Sequence, residues 1–263
     1  VKSDSWWTHV ETLYYSGNET QALTLLKQRC ADLWINPVKS ALQLHSSLPH
    51  SVYHTLFILS ETLYWCRQYR AALQLYQYMT DHNISDKMWR IADCQSRLGD
   101  DNKAIEILNS ITDASGKVYY SLGHAYKNTG QYDKAEQNFL QSLQIEYNNT
   151  SAEPLTDYNG YPLTTDCYVD LMSAASPEDR LTMITHITPN IITRLVSLGD
   201  VYSDQKKYST AEAYYMKSLH FIYDLYGEEA AVPNATKALF NLAINYRHMK
   251  QYNKAEDYYL QAL

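Results

Sequence analysis

Apolar and small residues recur along the chain at fixed distances. Counting from Leu122, a small residue follows at +1 (Gly123), Tyr at +4 (Tyr126) and +10 (Tyr132), Ala at +13 (Ala135), an aromatic at +17 (Phe139) and Leu at +21 (Leu143). The same offsets return from Leu198, with Gly199, Tyr202, Tyr208, Ala211, Tyr215 and Leu219. They return again from Leu242, with Ala243, Tyr246, Tyr252, Ala255, Tyr259 and Leu263. Residues four apart share one face of a helix, so each stretch predicts two helices, one through the first Leu and Tyr and one through the Ala and the aromatic. Gly130 suits the end of a first helix, where a left-handed residue is needed. Small side chains at Gly123 and Ala135 let the paired helices approach closely while the rings fill the space between pairs. Helices this short do not persist alone in water, so stacking must supply their stability.

Looser copies precede these three. Taking the +13 alanine as anchor, Ala104 sits in Ile91-Ala92, Gly99 and Leu108. Ala72 sits among Leu59-Ser60, Leu63, Tyr69 and Tyr76, and Ala22 among Trp6, Leu13, Gly17 and Leu26. Ala22 and Ala72 are far enough apart for one extra helix, expected near 38–46 after Pro37. Between Ala135 and Ala211 the pattern predicts a loop over 148–163, rich in Asn, Thr, Pro and Gly. A short atypical helix pair follows, over 165–174 and 177–187. Ser176-Pro177-Glu178-Asp179 reads there as an N-cap, a proline in the first turn and early acids. The wider gap from Ala211 to Ala255 predicts a helix prolonged through Tyr226 and ended by Gly227. The expected organisation is therefore 1–147, the N-terminal repeats; 148–163, the loop; and 164–263, the atypical pair and the final repeats, all in one continuous solenoid. The chain does not begin with Met and stops inside a predicted helix, so it is expected to continue beyond 263.

Composition gives this helical picture a cause. Only 8 Gly and 7 Pro occur in 263 residues, about half the usual share, which disfavours turn-dense β folds and loose linkers. Tyrosine is in excess, 25 against 4 Phe and 5 Trp. The balance of 22 basic and 29 acidic residues, net charge -7, argues against a binder that neutralises nucleic-acid phosphates and against a basic membrane-surface helix. No apolar run approaches the roughly 20 residues that cross a bilayer. Cys30, Cys66, Cys94 and Cys167 are widely spaced, as in a reducing compartment, so the cytoplasm, or else the nucleus, is expected.

The repeated offsets closely resemble the tetratricopeptide repeat, a helix–turn–helix unit of about 34 residues. The resemblance implies an all-α fold, a right-handed superhelical solenoid of antiparallel helix pairs. Tyr208 to Leu263 further resembles the longer repeats of kinesin light chains, through Ala211-Glu212-Ala213-Tyr214-Tyr215, Gly227, Asn241-Leu242-Ala243 and Ala255-Glu256-Asp257-Tyr258-Tyr259. It departs from them in having Val232-Pro233 where His-Pro would follow Gly227. Residues 56–143 are more weakly similar to repeat subunits of the anaphase-promoting complex, a ubiquitin ligase, through Tyr69-Arg70-Ala71-Ala72, Ile91-Ala92-Asp93-Cys94, Lys103-Ala104-Ile105-Glu106-Ile107-Leu108 and Ala125-Tyr126-Lys127.

No phosphate loop, dinucleotide fingerprint or nucleophile elbow is present. His50 and His54 have no carboxylate or Cys at ligand spacing. No cofactor, no metal and no enzymatic activity are expected. The resemblance instead implies a non-enzymatic protein-interaction scaffold or adaptor whose first helices line a concave peptide groove. Alternatives are a structural subunit of a multiprotein assembly such as a ubiquitin-ligase complex, and a regulatory repeat module of a larger enzyme or motor complex. By the family pattern, groove residues lie at about -5, -2, +2, +5 and +6 from each marker Leu. In the N-terminal half these slots give Trp7, Glu11 and Tyr14; Glu61, Tyr64 and Trp65; and Trp89, Asp93 and Arg97. The middle gives Tyr120, His124 and Lys127. The C-terminal half gives Thr193, Val196, Asp200, Ser203, Asp204, Lys237, Phe240, Ile244, Arg247 and His248, to which the resemblance to kinesin light chains adds Asn241 and Asn245. Aromatics favour binding hot spots, and the N-terminal acids suit a basic-apolar peptide. The expected partner is a protein or peptide, with no nucleic acid and no membrane insertion; homo- or hetero-oligomers are compatible with this reading.

Overall fold

The computed structural model describes residues 4–46, 48, 51–112, 115–150 and 189–263. Those residues are helical, with no strand among them. Internal packing divides the chain into two compact units, residues 1–112 and 113–263.

The first unit holds α1 (Asp4–Tyr15), α2 (Glu19–Arg29), a 3-10 turn (Ala31–Trp34), α3 (Pro37–His45), α4 (Val52–Trp65), α5 (Tyr69–Asp81), α6 (Met88–Arg97) and α7 (Asp101–Asn109). The helices α1/α2, α4/α5 and α6/α7 form the predicted pairs, and α3 is the predicted extra helix, packed on α4 and α5. Pro37 sits in its first turn, where its missing N–H costs no hydrogen bond. Ser51 caps α4 by accepting from the His54 N–H. Trp7, Val10, Leu26, Leu33, Leu59, Leu63, Leu75 and Tyr76 meet in one continuous core.

The second unit holds α8 (Gly116–Asn128), α9 (Tyr132–Thr150), α10 (Pro189–Asp204), α11 (Tyr208–Tyr226), α12 (Glu228–His248) and α13 (Tyr252–Gln261), each packed on the next. Its core is built from Phe139, Leu143, Leu195, Leu198, Tyr202, Tyr214, Tyr215, Leu242 and Tyr246. As predicted, α11 runs through Tyr226 and stops at Gly227, whose φ is 74°. Residues 148–150, expected to open the loop, belong to α9, which continues to Thr150; the rest of the expected loop lies outside the described residues. The helix pair expected at 165–174 and 177–187 lies outside the described residues.

The repeat signature is structural at its anchors. Ala22, Ala72, Ala104, Ala135, Ala211 and Ala255 are all buried. A Cβ on Gly123 would lie 2.6 Å from the Phe139 ring, and one on Gly199 2.6 Å from the Tyr215 ring. The +1 and +17 positions therefore touch, and the paired helices approach as closely as glycine permits. The tyrosines also tie successive pairs together. Tyr202 donates to Glu136 (2.8 Å) and Tyr246 to Glu212 (2.5 Å), each linking a first-helix Tyr to the acid beside the preceding anchor alanine. Tyr252, expected to be structural, is instead 62% exposed.

Candidate functional site

In the first unit, several expected groove residues turn inward. Trp7 is fully buried among the core side chains, which corrects its assignment to the groove. In α1 the inward face runs through Trp7 and Val10, and the neighbouring Trp6 is the half-buried ring. Trp7 donates to Glu11 (2.6 Å), whose carboxylate also meets His54 Nε2 at 2.7 Å. Glu61 and Tyr64 are buried as well, and neither is a free groove side chain. Arg90 on α6 pairs with Glu61 through both nitrogens Nε and Nη2, and Tyr76 donates to the same carboxylate at 2.9 Å. Burial is the largest single influence on the Arg90 charge and works against it, but Glu61, Tyr76 and Tyr64 together hold the guanidinium above its usual pKa. Three rings surround Arg90, Trp89 at 4.2 Å, Tyr64 at 4.3 Å and Trp65 at 5.6 Å.

Asp93 accepts from the Tyr64 hydroxyl and lies 3.9 Å from Arg97. Burial and Asp93 together push the Tyr64 phenol well above its ordinary range. The acids on which a basic-peptide preference rested are thus already held by this chain's own donors. Two rings near the expected groove stay exposed in the first unit. Tyr15 is 66% and Trp65 56% exposed, each with its edge or face against the neighbouring Tyr14 or Tyr64.

The second unit is different. Lys127 of α8, Asp200, Ser203 and Asp204 of α10, and Lys237, Asn241, Ile244 and His248 of α12 line one cleft of about 460 Å³ with Lys206, Tyr208 and Tyr215. The first helices of three successive pairs meet there, bringing together eight residues that the groove slots and the kinesin-light-chain resemblance singled out. At its floor Asp200 accepts from Tyr215 (2.8 Å) and from Asn241 Nδ2 (2.7 Å). Burial raises the Asp200 carboxyl above the ordinary aspartate range, against the opposing pull of Lys237 and the Tyr215 hydrogen bond. Lys127 reaches Asp204 at 3.2 Å, so α8 and α10 are bridged along the cleft wall. Tyr208 and His248 stack at its edge.

Asn245 does not line the cleft. It is buried, and its Nδ2 donates to the Tyr208 carbonyl at 2.8 Å, which fastens α12 to the start of α11. Arg247 is exposed. Tyr120 and His124 are half-buried and pack with Phe139. Arg194 lies 4.5 Å over Tyr120, bonded to Ser142 and Glu146. Arg90 and Arg194 were missed as functional side chains because neither falls in a groove slot. Both lie on first helices, among acids and rings of the preceding pair, and that charge pattern was the available signal.

Among the described residues no three His, Cys, Asp or Glu side chains are placed to hold a metal ion. No described helix is long and apolar enough to cross a membrane.

Comparison with known families agrees with the repeat geometry. Residues 88–114, 116–149 and 190–263 each match a profile described as a tetratricopeptide repeat, and together they span about half the chain. No curated protein matches in sequence. Similar solved structures include BtubC (BKLC) from P. vanneervenii, at 14% identity and TM-score 0.52, covering 89% of each chain. Another is a putative kinesin light chain with nearly identical TPR-like repeats from Podosopora anserina, at 13% identity and TM-score 0.36, covering 98% of this chain and 92% of that one.

Proposed function

The chain belongs to the tetratricopeptide repeat superfamily, and from that premise we propose that it is a non-enzymatic interaction module binding an extended segment of a protein partner in the second-unit cleft. Repeats of this family generally mediate protein–protein interaction. The observation that carries the proposal is the cleft itself, because three successive first helices present polar side chains into one volume of about 460 Å³. Such convergence suits a chain lying across the helices, whose backbone and side chains meet a different repeat every few residues.

The first unit has a structural role in this reading. Its expected groove acids, Glu11, Glu61 and Asp93, are held by Trp7, His54, Arg90, Arg97 and the tyrosines, and breaking a buried pair such as Glu61–Arg90 is costly. Filling the cleft with Ile244→Trp tests the assignment. A partner that binds the intact protein is expected to be lost from this variant and kept by Trp65→Ala. Equal binding by Ile244→Trp and the unaltered protein overturns the location.

A further inference from the structure

Glu61 and Asp200 occupy the same slot of the repeat, two residues after the marker Leu59 or Leu198. Each accepts from the tyrosine at +17, Tyr76 at 2.9 Å and Tyr215 at 2.8 Å. Each also accepts from the residue just before the next marker. In the first unit that residue is Arg90, and the carboxylate meets a full positive charge. In the second it is Asn241, which supplies a hydrogen bond at 2.7 Å and no charge. A further replacement lies beside it. The +5 ring of Tyr64, which covers Arg90, is replaced by Ser203, and Ser203 lines the open cleft. The second unit therefore keeps the acid and its tyrosine and has no cation bonded to the acid from that slot; Lys237 and Lys127 act on Asp200 only across the cleft, which leaves space beside it in which a further cation fits.

We propose that the second-unit cleft is a seat for one cationic side chain, arginine or lysine, of an extended partner segment, which gives Asp200 the charge that Arg90 gives Glu61. The inference rests on the peptide-groove reading and names what that groove selects. A guanidinium or ammonium brought against a largely buried carboxylate makes charge-assisted hydrogen bonds, which are the stronger kind. Burial of Asp200 outweighs the pull of Lys237, so a carboxylate now held in an unfavourable environment gains a directly bonded cation on binding. Lys206 and Lys237 line the same cleft and are exposed, while Lys127 is engaged with Asp204. These lysines repel further positive charge, so the seat takes a single basic residue among neutral or acidic neighbours and not a polybasic run.

Selection from a random octapeptide library on the whole chain tests the proposal, with Asn241→Arg as the decisive variant. The introduced guanidinium restores the first-unit arrangement and fills the seat from within. Peptides recovered by the unaltered protein are expected to carry one Arg or Lys, and replacing that Arg by the neutral isostere citrulline is expected to weaken binding by about tenfold or more. Asn241→Arg is expected to lose these peptides by a similar factor while its melting temperature holds or rises, which shows that it folds. If Asn241→Arg fails to fold, Asp200→Asn takes its place and is expected to bind the arginine and citrulline peptides alike. Equal binding of arginine and citrulline peptides by the unaltered protein overturns the seat but leaves the groove standing. Recovery of no peptide at all overturns the groove, and the seat with it.

Discussion

Two buried acids in equivalent places have opposite settings, and the contrast separates holding the fold from binding. Glu61 is closed in by Tyr76 and by Arg90, which the Tyr64 ring covers in turn. Every strong partner it needs is part of the chain, so the ion pair is a fixed piece of the first unit. Asp200 has the tyrosine and a neutral amide but keeps an open cleft on its other side. A buried charge whose cations, Lys237 and Lys127, act on it only across the cleft costs stability, and such costs concentrate where binding needs them. In this protein one acid serves packing and the other recognition, although the repeat places them alike.

The largest expected effect breaks the closed side of this comparison. Glu61→Leu leaves the Arg90 guanidinium buried without its acid, and removing one partner of a buried pair costs about 3–5 kcal/mol. Urea unfolding followed by circular dichroism is expected to show the first unit melting early or failing to fold. A loss under about 1 kcal/mol would mean that Arg90 finds water or Asp93 instead, and that the two acids are not so different.

Helix spacing gives the next effect. Gly199→Ala places a Cβ where the Tyr215 ring already stands, at 2.6 Å, and overpacking of this kind costs about 1–3 kcal/mol. Because Tyr215 is also a donor to Asp200, displacing the ring disturbs the cleft floor. Thermal melting and peptide affinity are both expected to fall. Gly123→Ala meets Phe139 at the same distance but leaves the Asp200 hydrogen bonds alone, so it is expected to lower stability while sparing affinity. Loss of affinity in both variants would show that helix spacing, not the Asp200 floor, governs binding.

Much of this was visible in the spacing of residues, for a physical reason. Positions fixed by close packing tolerate few side chains. The anchor alanines, the glycines facing rings and the Gly227 stop could therefore be read from identity and offset alone. Groove membership was less legible. In α1 the pattern does not decide whether Trp6 or Trp7 turns inward, since both are apolar and adjacent, and the structure buries Trp7. The Glu61–Arg90 pair joins residues 29 apart. No single-repeat pattern shows such a pair, because the acid and the cation belong to successive repeats. Setting the slot before each marker beside the +2 slot of the preceding repeat would have shown Arg90 facing Glu61 and Asn241 facing Asp200.

Asp200→Asn probes the open side. Burial raises the Asp200 pKa in the folded chain, so the folded state holds that proton more tightly than the unfolded state does. The ionised side chain therefore weakens the fold above the raised pKa, and the penalty fades as pH falls through it toward the ordinary value. Asparagine carries no such penalty. The variant is expected to gain on the order of 1 kcal/mol at neutral pH, the size of a common single-residue effect. The gain is expected to vanish in acid, where aspartic acid is itself neutral. Melting curves across this pH range check the sign. A variant less stable than the parent at neutral pH would show that the Tyr215 and Asn241 hydrogen bonds outweigh burial, and that Asp200 is as structural as Glu61.

The smallest effect lies in the turns, where the two units are built alike. Gly17, Gly99 and Gly130 each take a positive φ after a first helix, and at the matching positions Arg67, Lys206 and Lys250 adopt φ of 60–62°. Each turn is closed by the same pair of backbone bonds, such as Gly130 N–H to the Lys127 carbonyl with Gln131 N–H to Tyr126, and Lys206 N–H to Ser203 with Lys207 N–H to Tyr202. A left-handed residue with a Cβ costs about 1–2 kcal/mol. Glycine avoids that cost but loses about 0.5–1 kcal/mol more chain entropy on folding. Lys206→Gly is therefore expected to stabilise by about 0.5 kcal/mol, and Gly130→Ala to destabilise by a similar or larger amount. Lys206 also lines the cleft, so its removal separates two of its roles. If the lysine serves only the turn, Lys206→Gly raises the melting temperature and leaves peptide selection unchanged. If it guards the seat against additional positive charge, the same variant begins to accept peptides carrying two basic residues, and a change of that kind without any gain in stability would place the lysine with Asp200, on the recognition side of the comparison.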